Sequence, residues 1–423
     1  MKHILTFAIL ALVLAACADP NGPSKTVRIK MQQPVYMSYE ALRSAVRVDP
    51  PHQVVKPGKI YVYGNYLLIS EIGEGIHIVD NSTNTNPRYV AFVVVPGSGD
   101  MAVKDNIMYV DSYVDLVAID ISNPEQARVV HRIEGIFPQA LNATEFYYSD
   151  PDSGVVTGWR EVEVDVDVSD GQYRWGDVSL DRPVSSDRAE GPGAPSSGGS
   201  GGGQSGTGGS MARFTVVKSW LYAVTHTDMQ LFNIATPSRP LVWSRINLGW
   251  GIETIFPYKD KLFIGSMTGM FIFDNADPSS PSMLSTFSHA RACDPVVATD
   301  SLAFVTLRSG TMCGGGQNQL DVINIADLMN PRLVKSYFMQ EPQGVGVDGS
   351  TLFVCDGRAG LKIYDASQPA NLRLLSHMAE WNAYDIIPLG GTAILSTREG
   401  VQQIDYSNPQ APRVLSTLYT RKM

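Results

Sequence analysis

Hydrophobic and polar positions alternate along most of this chain in short runs of period two, broken by Gly, Pro, Asp and Asn. That pattern predicts half-buried strands joined by tight turns. One run recurs: IHIVD (76–80), LVAID (116–120), MQLFN (229–233), MFIFD (270–274), LDVIN (320–324), LKIYD (361–365) and VQQID (401–405). Each ends on Asp or Asn, and successive ends lie 40, 113, 41, 50, 41 and 40 residues apart. Such a residue at a strand end accepts a hydrogen bond from the backbone two residues on and starts a turn. A Pro follows four or seven residues later in every unit, as Pro124 and Pro87 do, and keeps the strand from running on. Further strands flank the motif, for example 344–347 and 352–354 upstream of LKIYD and RLVKSY (332–337) downstream of LDVIN.

Four short strands per unit of ~40 residues is the arithmetic of a propeller blade. The expected fold is all-β: a seven-bladed β-propeller with four-stranded blades over residues 52–423, with one short N-terminal helix and a large loop insertion. Two β-sandwiches would use the same strands, but the register through seven units speaks against them. MSYEALRSAV (37–46) has helix-forming residues with Ser38 as a cap, and Asp49-Pro50-Pro51 stops it. The two long intervals are the same unit carrying insertions at 136–210 and 306–319. With a blade's strands named A to D from the axis outward, both insertions fall on the face of the D-to-A and B-to-C connections. Insertions on one face of a repeat array mark a candidate binding face.

The first residues follow another logic. Lys2 precedes an apolar run, 4–14, that is too short to span a bilayer and long enough for a signal peptide. The run ends in Leu14-Ala15-Ala16-Cys17, which resembles the lipobox of bacterial lipoproteins. The resemblance implies a signal peptide over 1–16, lipid on Cys17, and a tether with the short helix over 17–51. Ala18 after the Cys favours the outer membrane, so the expected address is the bacterial cell envelope, anchored by lipid.

Composition narrows the role. The net charge is −9 with Lys+Arg 33 against Asp+Glu 42, and no basic patch stands out, so nucleic acid is not an expected partner. No GxSxG elbow occurs, the pattern being met only as GGSGG (198–202) within a Gly/Ser tract, and no HExxH, HxH or phosphate-loop motif is present. No catalytic residue, metal or cofactor is therefore expected. EVEVDVDV (161–168) puts Glu161, Glu163, Asp165 and Asp167 on one side of a strand, and 191–210 is dominated by Gly and Ser. The calcium reading of the acidic run lacks the Gly and closing Glu of an EF-hand loop.

The repeat motif resembles the LVIVD repeat of bacterial propeller lipoproteins, in IHIVDNSTNTNP, AIDISNP, IFDNADPSSP and IDYSNPQAP. MSYEALRSAV and GGSMARF (208–214) also resemble features of those lipoproteins. The family has no agreed activity, so the resemblance speaks for fold more than function. The anchor, the repeat fold, the decorated face and the lack of a catalytic motif point instead to a non-catalytic binding or scaffold module whose partner is an envelope protein or glycan. An envelope hydrolase or lyase using the loop-rich face or the axial channel is the alternative. Candidate recognition residues in the face loops are Asp111, Tyr113, Asp115, Trp250, Glu253, Arg291, Arg308, Arg358, Trp381 and Arg398. Cys293 and Cys313 fall on the same face of one blade, where they form a disulfide or stay as two free thiols. Cys355 is left over, as a buried small hydrophobe rather than a nucleophile.

Overall fold

The computed structural model describes residues 26–137, 149–167, 204–289, 295–309 and 316–421. These residues fall into two compact units, one of 26–35 and 157–167 and one made of the other described residues.

In the larger unit every repeat becomes a meander of four consecutive antiparallel strands. The first meander is Pro57–Tyr63, Tyr66–Glu71, Gly75–Asp80 and Arg88–Val94; the last is Ala383–Pro388, Thr392–Thr397, Gly400–Asp405 and Arg413–Tyr419. The first strand of each meander lies against the first strand of the next, and Ala383–Pro388 lies against Pro57–Tyr63. The sheets thus close on one another as the blades of a β-propeller, with strand A innermost. Middle strands such as Leu302–Leu307 and Thr392–Thr397 are buried on both faces, which is why they read as nearly unbroken apolar runs. Outer strands such as Arg332–Phe338 are mostly exposed.

The motif's last residue acts as the spacing predicts. Asp80, Asp120, Asn233, Asp274, Asn324, Asp365 and Asp405 each accept a hydrogen bond from the N–H two residues on, at 2.9–3.4 Å. Four of the aspartates also hold an Arg eight residues on: Arg88, Arg128, Arg373 and Arg413, at 2.6–3.0 Å. That second partner is a repeat signal the motif reading overlooked. Where strand C meets strand D the register slips by one residue in every blade, for instance between Ile78 and Val79. A bulge there adds twist at the outer edge.

The helix is Tyr39–Ser44, with Ser38 Oγ accepting from Ala41 N at 3.2 Å. Leu42 buries itself against Tyr113, Val114 and Val155. Two added strands widen the first blade: Arg47–Asp49 on its outer edge and Thr207–Gly208 on its inner edge.

In the smaller unit, residues 26–35 and 157–167 belong to neighbouring strands, Thr26–Met37 and Gly154–Asp167. The acidic alternation is a strand, as read, and a basic one answers it. Arg28 pairs with Asp165 at 2.9 Å, and Lys30 with Glu161 at 2.6 Å. The strand over 26–37 was not expected from sequence. Among the described residues no helix is long and apolar enough to cross a membrane.

Candidate functional site

The propeller's axis is occupied by its own chain. Strand A of each blade starts at the loop-rich face and ends at the A-to-B turn on the opposite face. The last part of the insertion enters at the A-to-B turn of blade two, where Gln204 and Asp105 exchange backbone and side-chain hydrogen bonds at 2.9–3.0 Å. It runs antiparallel to strand A of blade one, with Thr207 beside Val62 and Gly208 beside Tyr61. Nearer the loop-rich face, Ser210 Oγ donates to Asp385 Oδ1 at 3.0 Å and accepts from Val345 N at 2.9 Å. Met211 O accepts from Lys59 Nζ, and Ala212 O from Ile255 N at 2.8 Å. Arg213 N and Phe214 N both donate to Asp100 Oδ2. The segment therefore touches blades one, two, four, six and seven before it becomes strand A of blade three. The insertion was read as decoration of the loop-rich face; its end returns through the ring from the other side. Small residues make this passage possible. A Cβ on Gly206 would strike the Tyr61 ring, and one on Gly209 the Asp385 carboxylate.

The segment brings charges together at the axis. Asp100, Arg213 and Asp385 are buried, Lys59 and Glu253 partly so. Burial pushes the Asp385 carboxyl up to about 6 and Asp100 upward, both opposed by Lys59. Burial likewise drives Lys59 and Arg213 downward. His226 falls to about 4, through burial and then the Arg213 charge. Asp111 rises to about 7 by burial, although Gly99 N and Asp100 N both donate to it. Carboxyls poised at 6 and 7 have acid–base character. Here each is already held by N–H or hydroxyl donors, and the threaded segment covers Asp385.

The ten candidate face residues divide. Asp111, Tyr113 and Asp115 are buried and hold the loops together, so they do not line an open surface. Asp115 accepts from Arg43, Arg132 and Gly135 N, which fastens the helix to blade two. Asp111 belongs to a device that the described residues show three times: a carboxylate at the end of strand B ties down two consecutive N–H groups of the incoming connection. Glu71 does so for Val55 and Lys56, Asp111 for Gly99 and Asp100, Asp356 for Gln340 and Glu341. Apolar alternation carries no mark that tells such a carboxylate from a solvated one. Arg308 and Arg398, by contrast, gather with Glu341 and Glu399 around Tyr384, whose phenol is raised by burial and sits in the field of all four. Arg358 reaches Glu341 at 3.0 Å, and Trp381 packs partly buried against the core between blades six and seven. Trp250 is 58% exposed, apart from that group at the entry to blade four, with Glu253 three residues on. Cys355 is fully buried with its thiol pushed well up by burial, as expected of a packing residue. Cys17, Arg291, Cys293 and Cys313 lie outside the described residues.

The family model described as LVIVD repeat matches residues 56–93, 97–131 and 341–379, which are blades one, two and six. The protein is a β-propeller with LVIVD repeats. Blades three, four, five and seven, outside the matched residues, share the strand-end Asx turn of the matched blades. Among solved structures it is similar to the computationally designed Ika8 protein, at 9% identity and a TM-score of 0.53, over 88% of this chain and 90% of that one. It is also similar to a functionally unknown protein from Desulfotomaculum acetoxidans, at 12% identity and a TM-score of 0.51, over 84% and 95% of the two chains. These likenesses concern the fold alone. No curated protein matches the sequence.

Proposed function

We propose that this LVIVD propeller is a non-catalytic binding or scaffold module of the bacterial cell envelope, held by lipid on Cys17. Its recognition surface is the loop-rich face over blades five to seven, and its partner is an envelope protein or glycan. The observation that carries the reading is the threaded segment 204–214: it fills the axis, where a propeller enzyme would place substrate, and leaves the face loops as the accessible chemistry. Arg308, Arg358, Arg398, Glu341, Glu399 and Trp381 offer both signs of charge beside an aromatic ring, a composition suited to recognition. The hydrolase or lyase reading would need the raised carboxyls Asp111 and Asp385 to be reachable, and both are enclosed.

The test is capture from detergent-solubilised envelope with the parent protein and with an Arg308→Glu/Arg398→Glu variant. A specific protein or glycan retained by the parent and lost by the folded variant is the expected result. Equal capture by both, or none by either, overturns the face assignment. Cys17→Ser separately tests the anchor: the variant should leave the membrane fraction, and continued fractionation with membranes counts against lipid attachment.

A further inference from the structure

We infer that His52, Glu71 and His77 in blade one form a site for one divalent transition-metal ion of the zinc class. Their donor atoms lie within 4.8 Å of one another, on the loop-rich face of a blade that the reading above does not use. Two imidazoles and one carboxylate suit zinc-class ions, whereas calcium and magnesium prefer oxygen throughout.

The lattice of the propeller shows what is particular about this blade. The end of strand B and the second position of the repeat motif make a polar pair elsewhere too, as Asp356–Lys362 at 2.6 Å and Thr397–Gln402 at 3.0 Å. Lys362 and Gln402 fill that position as simple partners. In blade one it holds His77, fully buried, with Nε2 2.8 Å from Glu71 Oε2 and with Nδ1 lacking a hydrogen-bond partner. A third donor then arrives from outside the repeat. His52, exposed in the connection between Arg47–Asp49 and Pro57–Tyr63, sets its ring 4.8 Å from that of His77 and edge-on to it.

The surroundings orient the donors as supporting groups do in metal sites. Glu71 Oε1 accepts from Val55 N at 3.1 Å and Lys56 N at 3.2 Å, which leaves Oε2 to face His77. His52 Nδ1 lies 3.1 Å from Gln53 O; donation to that carbonyl puts the ring's lone pair on Nε2. Phe92 packs against both imidazoles at 4.5 Å between ring centres and closes the apolar side. Tetrahedral donors at bonds of about 2.0–2.2 Å stand roughly 3.3–3.5 Å apart, so the ion replaces the proton shared by Glu71 and His77 and draws His52 inward. His52 can make that movement because it is exposed. Three protein donors leave a position open for water or for an anionic oxygen of a bound molecule.

The probe is Co²⁺, titrated into the chelator-treated full chain in detergent without a histidine tag, followed by ligand-field absorption. The expected result is one Co²⁺ per chain, displaced by Zn²⁺, with affinity at least tenfold weaker in His52→Ala and unchanged in His131→Ala. His52→Ala keeps the fold because its side chain is exposed, so it decides even where His77→Gln fails to fold. No uptake at micromolar Co²⁺, or uptake undiminished in His52→Ala, overturns the site; neither result bears on partner capture by the face of blades five to seven.

Discussion

Asp385 and Asp405 belong to the same blade and live under opposite rules. Asp385, at the start of the inner strand, is buried against the threaded segment, and burial pushes its carboxyl up to about 6. Asp405, at the end of strand C, is held at about 2 by the Ser407 hydroxyl and N–H and by Arg413. Asp80 and Asp365 repeat the outer pattern, each at about 2 with a Ser two residues on and an Arg eight on. The outer turns are thus where the repeat is written, in short-range contacts that each blade makes for itself. The axis is where the chain is unique, with charges from several blades meeting one segment. The same residue type serves as a solvated turn anchor in one place and as an enclosed charge in the other.

The largest effect expected from this contrast is at the axis. Asp100→Ala removes the acceptor for Arg213 N and Phe214 N and the carboxyl beside Lys59, and should lower the free energy of unfolding by about 3 kcal/mol. Denaturant unfolding measures it; a loss no larger than that of an outer-turn aspartate would break the comparison.

A smaller effect concerns pH. The Asp385 carboxyl is raised to about 6 in the folded chain, against ~3.9 when unfolded. Between those values the folded state binds more protons, so this group's contribution to stability rises as pH falls from about 6 to about 4. Above that window its cost is present in full. The outer aspartates act in the other direction: their stabilisation is full above their unfolded value and is lost as pH falls toward 2. Asp385→Asn keeps an acceptor for Ser210 and cannot ionise. It should gain up to about 2 kcal/mol over the parent at pH 7 and little at pH 4.5, seen in unfolding curves across that range. Parallel pH profiles would show that Asp385 does not titrate in this window.

The smallest effect is at the rim. Asn233 and Asn324 already carry the turn without charge, so Asp120→Asn should change stability by no more than about 0.5 kcal/mol in thermal unfolding. A substantially larger loss would mean that the Arg128 pair does more than the turn.

The outer turns were legible because each is a local rule: a strand of period two, an Asx residue and a Pro within a few positions. The Arg partner eight residues on was equally local and was missed only because it stands outside the motif's short run. Segment 204–214 was not legible, since Gly, Ser and Thr carry no hydrophobic period that says where they go. Nor were the roles of Asp111 and Asp115, because an acidic residue in a loop reads the same whether it faces water or two backbone N–H groups. The strand at Thr26–Met37 escaped for a related reason: its partner lies more than a hundred residues away, in the acidic alternation it matches.

By itself, then, the sequence determined the β-propeller and its turns, because strand length, alternation and turn chemistry act within one blade of some forty residues. Only the tertiary structure decided what occupies the axis, which carboxyls are enclosed there, and that His52 meets Glu71 and His77. The first two outcomes depend on ring closure, which brings inner strands from distant blades within reach of one threaded segment, and on burial, which changes what a charged side chain costs; the third depends on how the connection before blade one folds back over that blade's own strands.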